Sequence, residues 1–205
     1  MNEYVTIKTL GEGGQGTAVL ARNRHGDNVV VKAVVCETLR SANVALGEAK
    51  VLQGISHVHV VRYIDVFVDQ NASREIQVCT VMEYCDSGDL HQRLTILRQT
   101  NMALDESTIM RWLYQLASGL TFLHQKKVLH RDMKPANCFI CSRPEGELLK
   151  IGDFGLSVVL EGKKKRSRVG TPSYLAPEVL QMDAYGDWVD VWGLGCIALE
   201  LMTMQ

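Results

Sequence analysis

The chain lacks almost everything that would mark it for secretion, a bilayer or a polyanion. Its 205 residues hold 22 Lys and Arg against 23 Asp and Glu, a net charge of −1, so no global field draws it to nucleic acid or an anionic membrane surface. No apolar run is long enough to span a bilayer, and Met1-Asn2-Glu3-Tyr4 lacks the basic and apolar regions that open a signal peptide. Asn2 also stands where myristoylation needs glycine. There is no internal repeat and no low-complexity linker. A cytoplasmic protein is expected, or a nuclear or cytoskeleton-associated one, with neither nucleic acid nor membrane among its partners. The six cysteines, at 36, 79, 85, 138, 141 and 196, do not make the disulfide framework of a small secreted scaffold.

Two residual metal signals are weak. Cys138 and Cys141 spell C-x-x-C, but Cys138-Phe139-Ile140-Cys141 reads as a buried strand. Residues three apart on a strand point to opposite faces, a poor arrangement for one ion. His57 and His59 flank a valine without a second ligand pair, which favours a turn between helix and strand.

What is present is ordered. A hydrophobic content of 46% and a charged content of 22% suit a folded globular chain. Residues 4–36 run β-branched or alternating, broken by glycines at 11, 13, 14, 16 and 26, and predict a hairpin-rich antiparallel sheet. Residues 39–55 predict a helix with Ala42, Ala45, Ala49, Leu52 and Ile55 on one face. Strands follow near 60–68 and 77–83. Beyond Gly88 the pattern turns helical: Ile109, Leu113, Leu116, Leu120 and Leu123 keep helical spacing behind Asp105, a suitable N-cap. The expected class is α+β, a small β-rich lobe with one helix (1–86) followed by a mainly helical lobe (87–205).

Two runs carry the chemistry. His130-Arg131-Asp132-Met133-Lys134-Pro135-Ala136-Asn137 is followed, sixteen residues after that asparagine, by Asp153-Phe154-Gly155. Together they supply a carboxylate to take a hydroxyl's proton, two oxygen ligands for a hard cation and a positive charge for a moving phosphate. Phosphoryl transfer from a Mg-nucleotide requires that set. Gly11-x-Gly13-x-x-Gly16 lies between strands, where glycine backbone can close over phosphates, and Lys32 closes the next strand.

With Val81-Met82-Glu83-Tyr84-Cys85, Gly88-Asp89-Leu90, Lys150-Ile151-Gly152 before Asp153, and Val169-Gly170-Thr171-Pro172, the chain resembles the eukaryotic-type serine/threonine protein kinases. Within them it is most similar to the NimA-related group. The resemblance implies a bilobal fold, ATP and Mg2+ as cofactors, and protein Ser/Thr hydroxyls as acceptors. It implies that Gly11, Gly13, Gly16, Ala18, Val19 and Val30 surround the nucleotide, and that Lys32 holds its α- and β-phosphates, fixed by Glu48. Gly47 beside Glu48 weakens that helix by about 1 kcal/mol relative to alanine, so a mobile helix coupled to activation is expected. Met82 is the expected gatekeeper. The Glu83 carbonyl and Cys85 backbone form the hinge, and Asp89 meets ribose or peptide.

In the second lobe, Asp132 is the base, Lys134 steadies the phosphoryl group, and Asn137 and Asp153 ligate Mg2+. Ser167 is the activating phosphosite, Arg131 its partner, and Thr171 a contact to Asp132 and Lys134. Departures matter as well. Gln15 replaces a common aromatic at the glycine-loop tip, so a looser lid is expected. The run Lys163–Arg168 reads as a solvated loop rather than a nucleic-acid site. The helix from Asp190 to Gln205 is apolar on all sides and expects full burial. The elements that bury it in the family, and the arginine that pairs with Glu178, are missing from this chain. A further segment or a partner over 191–205 is therefore expected. A catalytically weak binding module is the alternative function.

Overall fold

The computed structural model describes residues 3–13, 16–71, 73–155, 158–159, 167 and 169–205, the pair 158–159 through its backbone alone. Gln15 and, apart from Ser167, the 163–168 run lie outside the described residues. The chain divides into two compact units, Met1–Ser56 with Val61–Tyr84, and His57–Val60 with Cys85–Gln205.

In the first unit, β1 (Tyr4–Gly13), β2 (Gly16–Asn23), β3 (Asn28–Val35), β4 (Tyr63–Gln70) and β5 (Ile76–Glu83) form one antiparallel sheet in the order β1-β2-β3-β5-β4. β3 continues past Lys32, which therefore lies in mid-strand rather than at its end. The β-branched Val34 and Val35 keep their ladder with Val78 and Gln77. Strict alternation separates two faces. Ala21, Val29, Val31, Cys79 and Val81 form one buried layer, against which Val19, Ala33, Phe67 and Tyr4 pack. Ala18, Val30, Lys32 and Met82 have the opposite parity, in register as Ala18 beside Lys32 and Val30 beside Met82.

α1 (Leu39–Gln53) begins at a capping box: the Ser41 amide donates to Thr38 Oγ1 at 3.1 Å, and the Thr38 amide to Ser41 Oγ at 3.2 Å. It buries Ala42, Ala49 and Leu52 and packs on β4 and β5. Gly54 caps its end, so Ile55 is buried just beyond the helix. β4 starts three residues later than the sequence pattern suggests, because Val60 makes a single parallel bridge to Ile151 instead.

The second unit contains α2 (Leu90–Gln99), α3 (Glu106–Gln125), β6 (Val128–Leu129), the hairpin β7 (Cys138–Arg143) with β8 (Gly146–Ile151), β9 (Val158–Val159), α4 (Pro177–Leu180) and α5 (Trp188–Thr203). Asp105 caps α3, its Oδ1 accepting from the Thr108 amide at 2.9 Å. The buried stripe of α3 runs through Trp112, Leu116, Leu120 and Leu123 and faces β8 and α5. Ile109 and Leu113, expected on that stripe, are only half-buried at its margin. His57 stacks on Phe122 with ring centroids 4.8 Å apart, and His59 bonds the Leu149 carbonyl at 3.0 Å.

α5 buries Val189, Asp190, Gly193, Ile197 and Leu201 along one side, whereas Val191, Trp192, Leu199 and Met202 are exposed. Its apolar residues are thus buried on one face, not all round. A Cβ on Gly193 would lie 2.7 Å from Met133 Cβ and 2.9 Å from its carbonyl oxygen, so glycine lets α5 approach the 130–137 loop directly. Arg98 of α2 closes the other end, Nε donating to the Met204 carbonyl at 2.8 Å and Nη2 to Glu200 at 3.0 Å. No helix among the described residues is long and apolar enough to cross a membrane.

Candidate functional site

In the first unit, the structure brings Ala18, Val30, Lys32 and the buried Met82 onto one side of the sheet. Val19 is not with them. It packs in the opposite hydrophobic layer with Val31 and Ala21, so its expected place beside the nucleotide is corrected: alternation turns it away from its neighbour Ala18. Of the described loop glycines, Gly16 alone is demanded by local packing. Its φ is +105°, and a Cβ there would sit 2.2 Å from the Ala33 carbonyl oxygen, whereas Gly11 and Gly13 have open space around theirs. Glu83 is pinned by a reciprocal pair, its amide donating to the Arg62 carbonyl at 3.0 Å and its carboxylate accepting from the Arg62 amide at 2.7 Å. Glu48 is exposed on α1, at the edge of a groove of about 670 Å³ lined also by Thr38, Arg40, Ser41 and Val44.

The second unit holds a tighter constellation. Asp132 is buried and saturated with donors. Its Oδ1 accepts from the Thr171 amide and hydroxyl, each at 2.8 Å, and its Oδ2 from Lys134 Nζ at 2.7 Å and Asn137 Nδ2 at 3.0 Å. Lys134 Nζ also reaches Thr171 Oγ1 at 2.6 Å, closing a ring of three side chains. Burial alone would raise the Asp132 pKa, but the bonds from Lys134 and Thr171, the Lys134 charge and the Asn137 amide outweigh it. The carboxyl is held below the usual carboxylate range.

This lowering has a testable sign. Because the folded carboxyl titrates below its unfolded value of about 3.9, its stabilising contribution is complete above that pH and is lost as pH falls through the folded value. Acid unfolding followed by circular dichroism should show a shallower limb below about pH 4 in Asp132→Asn than in the parent chain. An identical limb would show that Asp132 contributes nothing to it.

His130 organises the neighbouring segments. Its Nε2 donates to the Gly152 carbonyl at 2.9 Å and its Nδ1 accepts from the Asp132 amide at 3.3 Å, which assigns a neutral tautomer with the proton on Nε2. Gly152 also donates its amide to the Asn137 carbonyl at 2.9 Å, so the Asp153 backbone lies beside the Asn137 segment. Phe154 meets the His130 ring edge-on at 5.0 Å. Arg131 and Asp153 both adopt positive φ, 67° and 57°, a conformation that side-chain-bearing residues keep only where their surroundings enforce it.

Sequence reasoning missed the group that enforces the first of these. Asp190, 1% exposed, accepts the His130 amide (2.9 Å) and His124 Nε2 (2.9 Å) on one oxygen and the Arg131 amide (2.7 Å) on the other. A lone carboxylate within the apolar Val189–Gly193 stretch was the available signal, since a buried charge must find donors. Asp89 was likewise read without its local role. Its Oδ1 caps α2, accepting from the Gln92 amide at 2.9 Å. Cys85 is buried and opens the longer segment of the second unit. Ser167 lies within 2.7 Å of the Tyr185 hydroxyl, and Arg131 Nη1 reaches both at 3.4 Å.

Asn137 commits both amide protons to Asp132, one to its backbone carbonyl at 2.7 Å and one to its carboxylate, and so keeps its oxygen as the remaining ligating atom. No group of three or more His, Cys, Asp or Glu among the described residues could hold a metal by itself. An amide oxygen and one carboxylate fit a cation that completes its shell with phosphate and water, as Mg2+ does, and do not fit a dedicated protein cage. Cys138 and Cys141, on β7, are free thiols, and burial pushes the Cys138 thiol far up.

Comparison with known proteins identifies the family. The protein kinase domain family matches residues 4–205. The chain is 34% identical over 210 residues to the serine/threonine-protein kinase Nek5 of Homo sapiens, covering all of this chain and 28% of that protein. It is 34% identical over 212 residues to the probable serine/threonine-protein kinase nek2 of Dictyostelium discoideum, covering all of this chain and 49% of that one. The serine/threonine-protein kinase Nek1 of Mus musculus is 33% identical over 210 residues, 17% of its length. The chain thus spans half or less of each of these relatives.

Proposed function

This chain belongs to the protein kinase domain family, and from that membership we propose that it transfers the γ-phosphoryl group of ATP to serine or threonine hydroxyls of protein substrates. Protein kinases generally use ATP and Mg2+. The observation that carries the reading is the buried Asp132 carboxylate, saturated by donors from Lys134, Thr171 and Asn137.

Asp132 orients the attacking hydroxyl and receives its proton as the new P–O bond forms and the bond to ADP breaks. Lys134, already drawn to Thr171 and Asp132, offers its ammonium to the phosphoryl oxygens. Asn137 and Asp153 hold Mg2+, which supplies charge neutralisation to the phosphates when bound. On the first unit, Lys32 holds the α- and β-phosphates with Glu48 as its partner, Ala18 and Val30 flank the base, Met82 stands behind it, and Gly11, Gly13 and Gly16 cover the phosphates. Glu83 and Cys85 offer backbone groups to the adenine edge, and Asp89 adds a contact to ribose or peptide. Lys134, two residues after Asp132, is the serine/threonine pattern, and the relatives reported are all named serine/threonine kinases. Phosphorylation of Ser167, with Arg131 as its cationic partner, controls activity.

The purified chain with Mg2+ and radiolabelled ATP should phosphorylate a generic Ser/Thr protein substrate, and Asp153→Ala should be silent under the same conditions. Equal labelling by both proteins would remove the proposal. A chain that binds Mg-ATP in a thermal-shift assay without turnover would favour the binding module, which the exposed apolar face of α5 also suits.

A further inference from the structure

Tyr185 has no part in the chemistry above, yet its phenol is aimed at the regulatory serine. The residue is 1% exposed and belongs to the layer formed by Leu129, Ala176, Val179 and Val189. Its hydroxyl lies 2.7 Å from Ser167 Oγ, and Arg131 Nη1 lies 3.4 Å from each. A buried phenol without a partner is costly, so Ser167 and Arg131 are what make its burial acceptable. Arg131 and Tyr185 also line a small pocket with Val169 and Leu175. Ser167 is half-buried, so a phosphate on it can reach solvent while its ester oxygen stays beside Tyr185.

We propose that the Tyr185 hydroxyl is a positioning group that holds Ser167 against Arg131 and, once Ser167 is phosphorylated, donates to the phosphoserine. The inference rests on Ser167 being the phosphosite. With a free serine either hydroxyl can donate. When ATP gives its γ-phosphoryl group to Ser167, the hydroxyl proton leaves, an O–P bond forms and ADP departs. The ester oxygen then has no hydrogen, so Tyr185 has to be the donor, alongside Arg131. The same pair of side chains serves both states, with the hydrogen bond forced into one direction by modification. Tyr185 acts through Ser167 and Arg131 and touches no reacting atom.

The test uses the full chain carrying phosphoserine at 167, incorporated during synthesis, with Tyr185→Phe as the variant because the ring still fills its site. Phosphorus NMR titration reads the phosphate's second pKa. Donation from Tyr185 and the Arg131 charge should hold it below the value of about 6 for a free phosphoserine, and Tyr185→Phe should move it back up. In the unmodified chain, the losses of melting temperature caused by Tyr185→Phe and Ser167→Ala should fail to add, since both remove one shared bond. Where turnover is measurable, Tyr185→Phe should lower the kcat of the phosphorylated chain about tenfold, the effect of one hydrogen bond to a charged group, and have no further effect on Ser167→Ala. An unchanged phosphate pKa together with additive melting losses would overturn the inference. If Ser167→Ala retains full phosphotransfer, the phosphosite reading fails instead. If no variant turns over, the kinase reading fails, and the titration still decides the role of Tyr185.

Discussion

Asp132→Asn should lower phosphotransfer by about 10²–10⁴-fold, the range for removing a general base, with little change in the KM for ATP. The side chain is nearly isosteric, but the ring around it is built for four acceptor sites. Asn offers one oxygen and an NH2 group. If the oxygen faces the Thr171 amide and hydroxyl, the NH2 points at Lys134 Nζ and Asn137 Nδ2, both donors. The reverse orientation sets it against Thr171. Either way one donor pair loses its acceptor, and Lys134 loses the counter-charge 2.7 Å away. A local stability loss of about 1–3 kcal/mol accompanies the catalytic one. The two separate experimentally, because a 10²-fold fall in kcat at a temperature well below the melting midpoint cannot come from a modest unfolded fraction. Steady-state kinetics at 20 °C beside a melting curve would settle it. Near-parental kcat in a folded Asp132→Asn chain would remove Asp132 from the chemistry and the proposed mechanism with it.

Much of this arrangement is legible locally. Dense β-branched residues and well-placed glycines make β1 to β3 visible, and Asp105 marks the start of α3 because its carboxylate caps the first turn. The runs 130–137 and 153–155 are legible because their chemistry sits at fixed short spacing. The misreadings have a different character. Val19 was assigned to the nucleotide side, yet period-two alternation makes one residue the difference between one face and the other. Asp89 has a second, local role that the ligand reading leaves out, since its Oδ1 caps α2 through the Gln92 amide three residues on. The partners of Asp190 and Tyr185 lie 54 to 66 residues away where they involve His124, His130 and Arg131. No local period reports them; only the packing of α5 and the segment before it against the 130–137 loop does.

Asp190→Asn tests that long-range part most severely. The carboxylate holds two backbone amides and one imidazole N–H in a site 1% exposed. The two amides belong to His130 and Arg131, and Arg131 sits at φ 67°, a conformation that has to be enforced from outside. An asparagine can satisfy one side with its oxygen, but its NH2 then confronts a donor on the other. Breaking a buried charged network in this way costs about 3–5 kcal/mol, on the order of 10 °C in melting temperature for a chain of this length. Activity should fall further than stability requires, because released His130 and Arg131 amides let the adjoining Asp132 leave its ring. At a temperature where Asp190→Asn remains folded, kcat should drop, whereas in an Asp132→Asn background Asp190→Asn should cause no further loss. Gly193 offers the steric counterpart: its missing Cβ keeps α5 against Met133, so the same loop is held by a hydrogen-bonded clamp and by close contact on one helix. A melting temperature for Asp190→Asn within a degree or two of the parent would show that the clamp is not what holds the loop, and that close contact suffices.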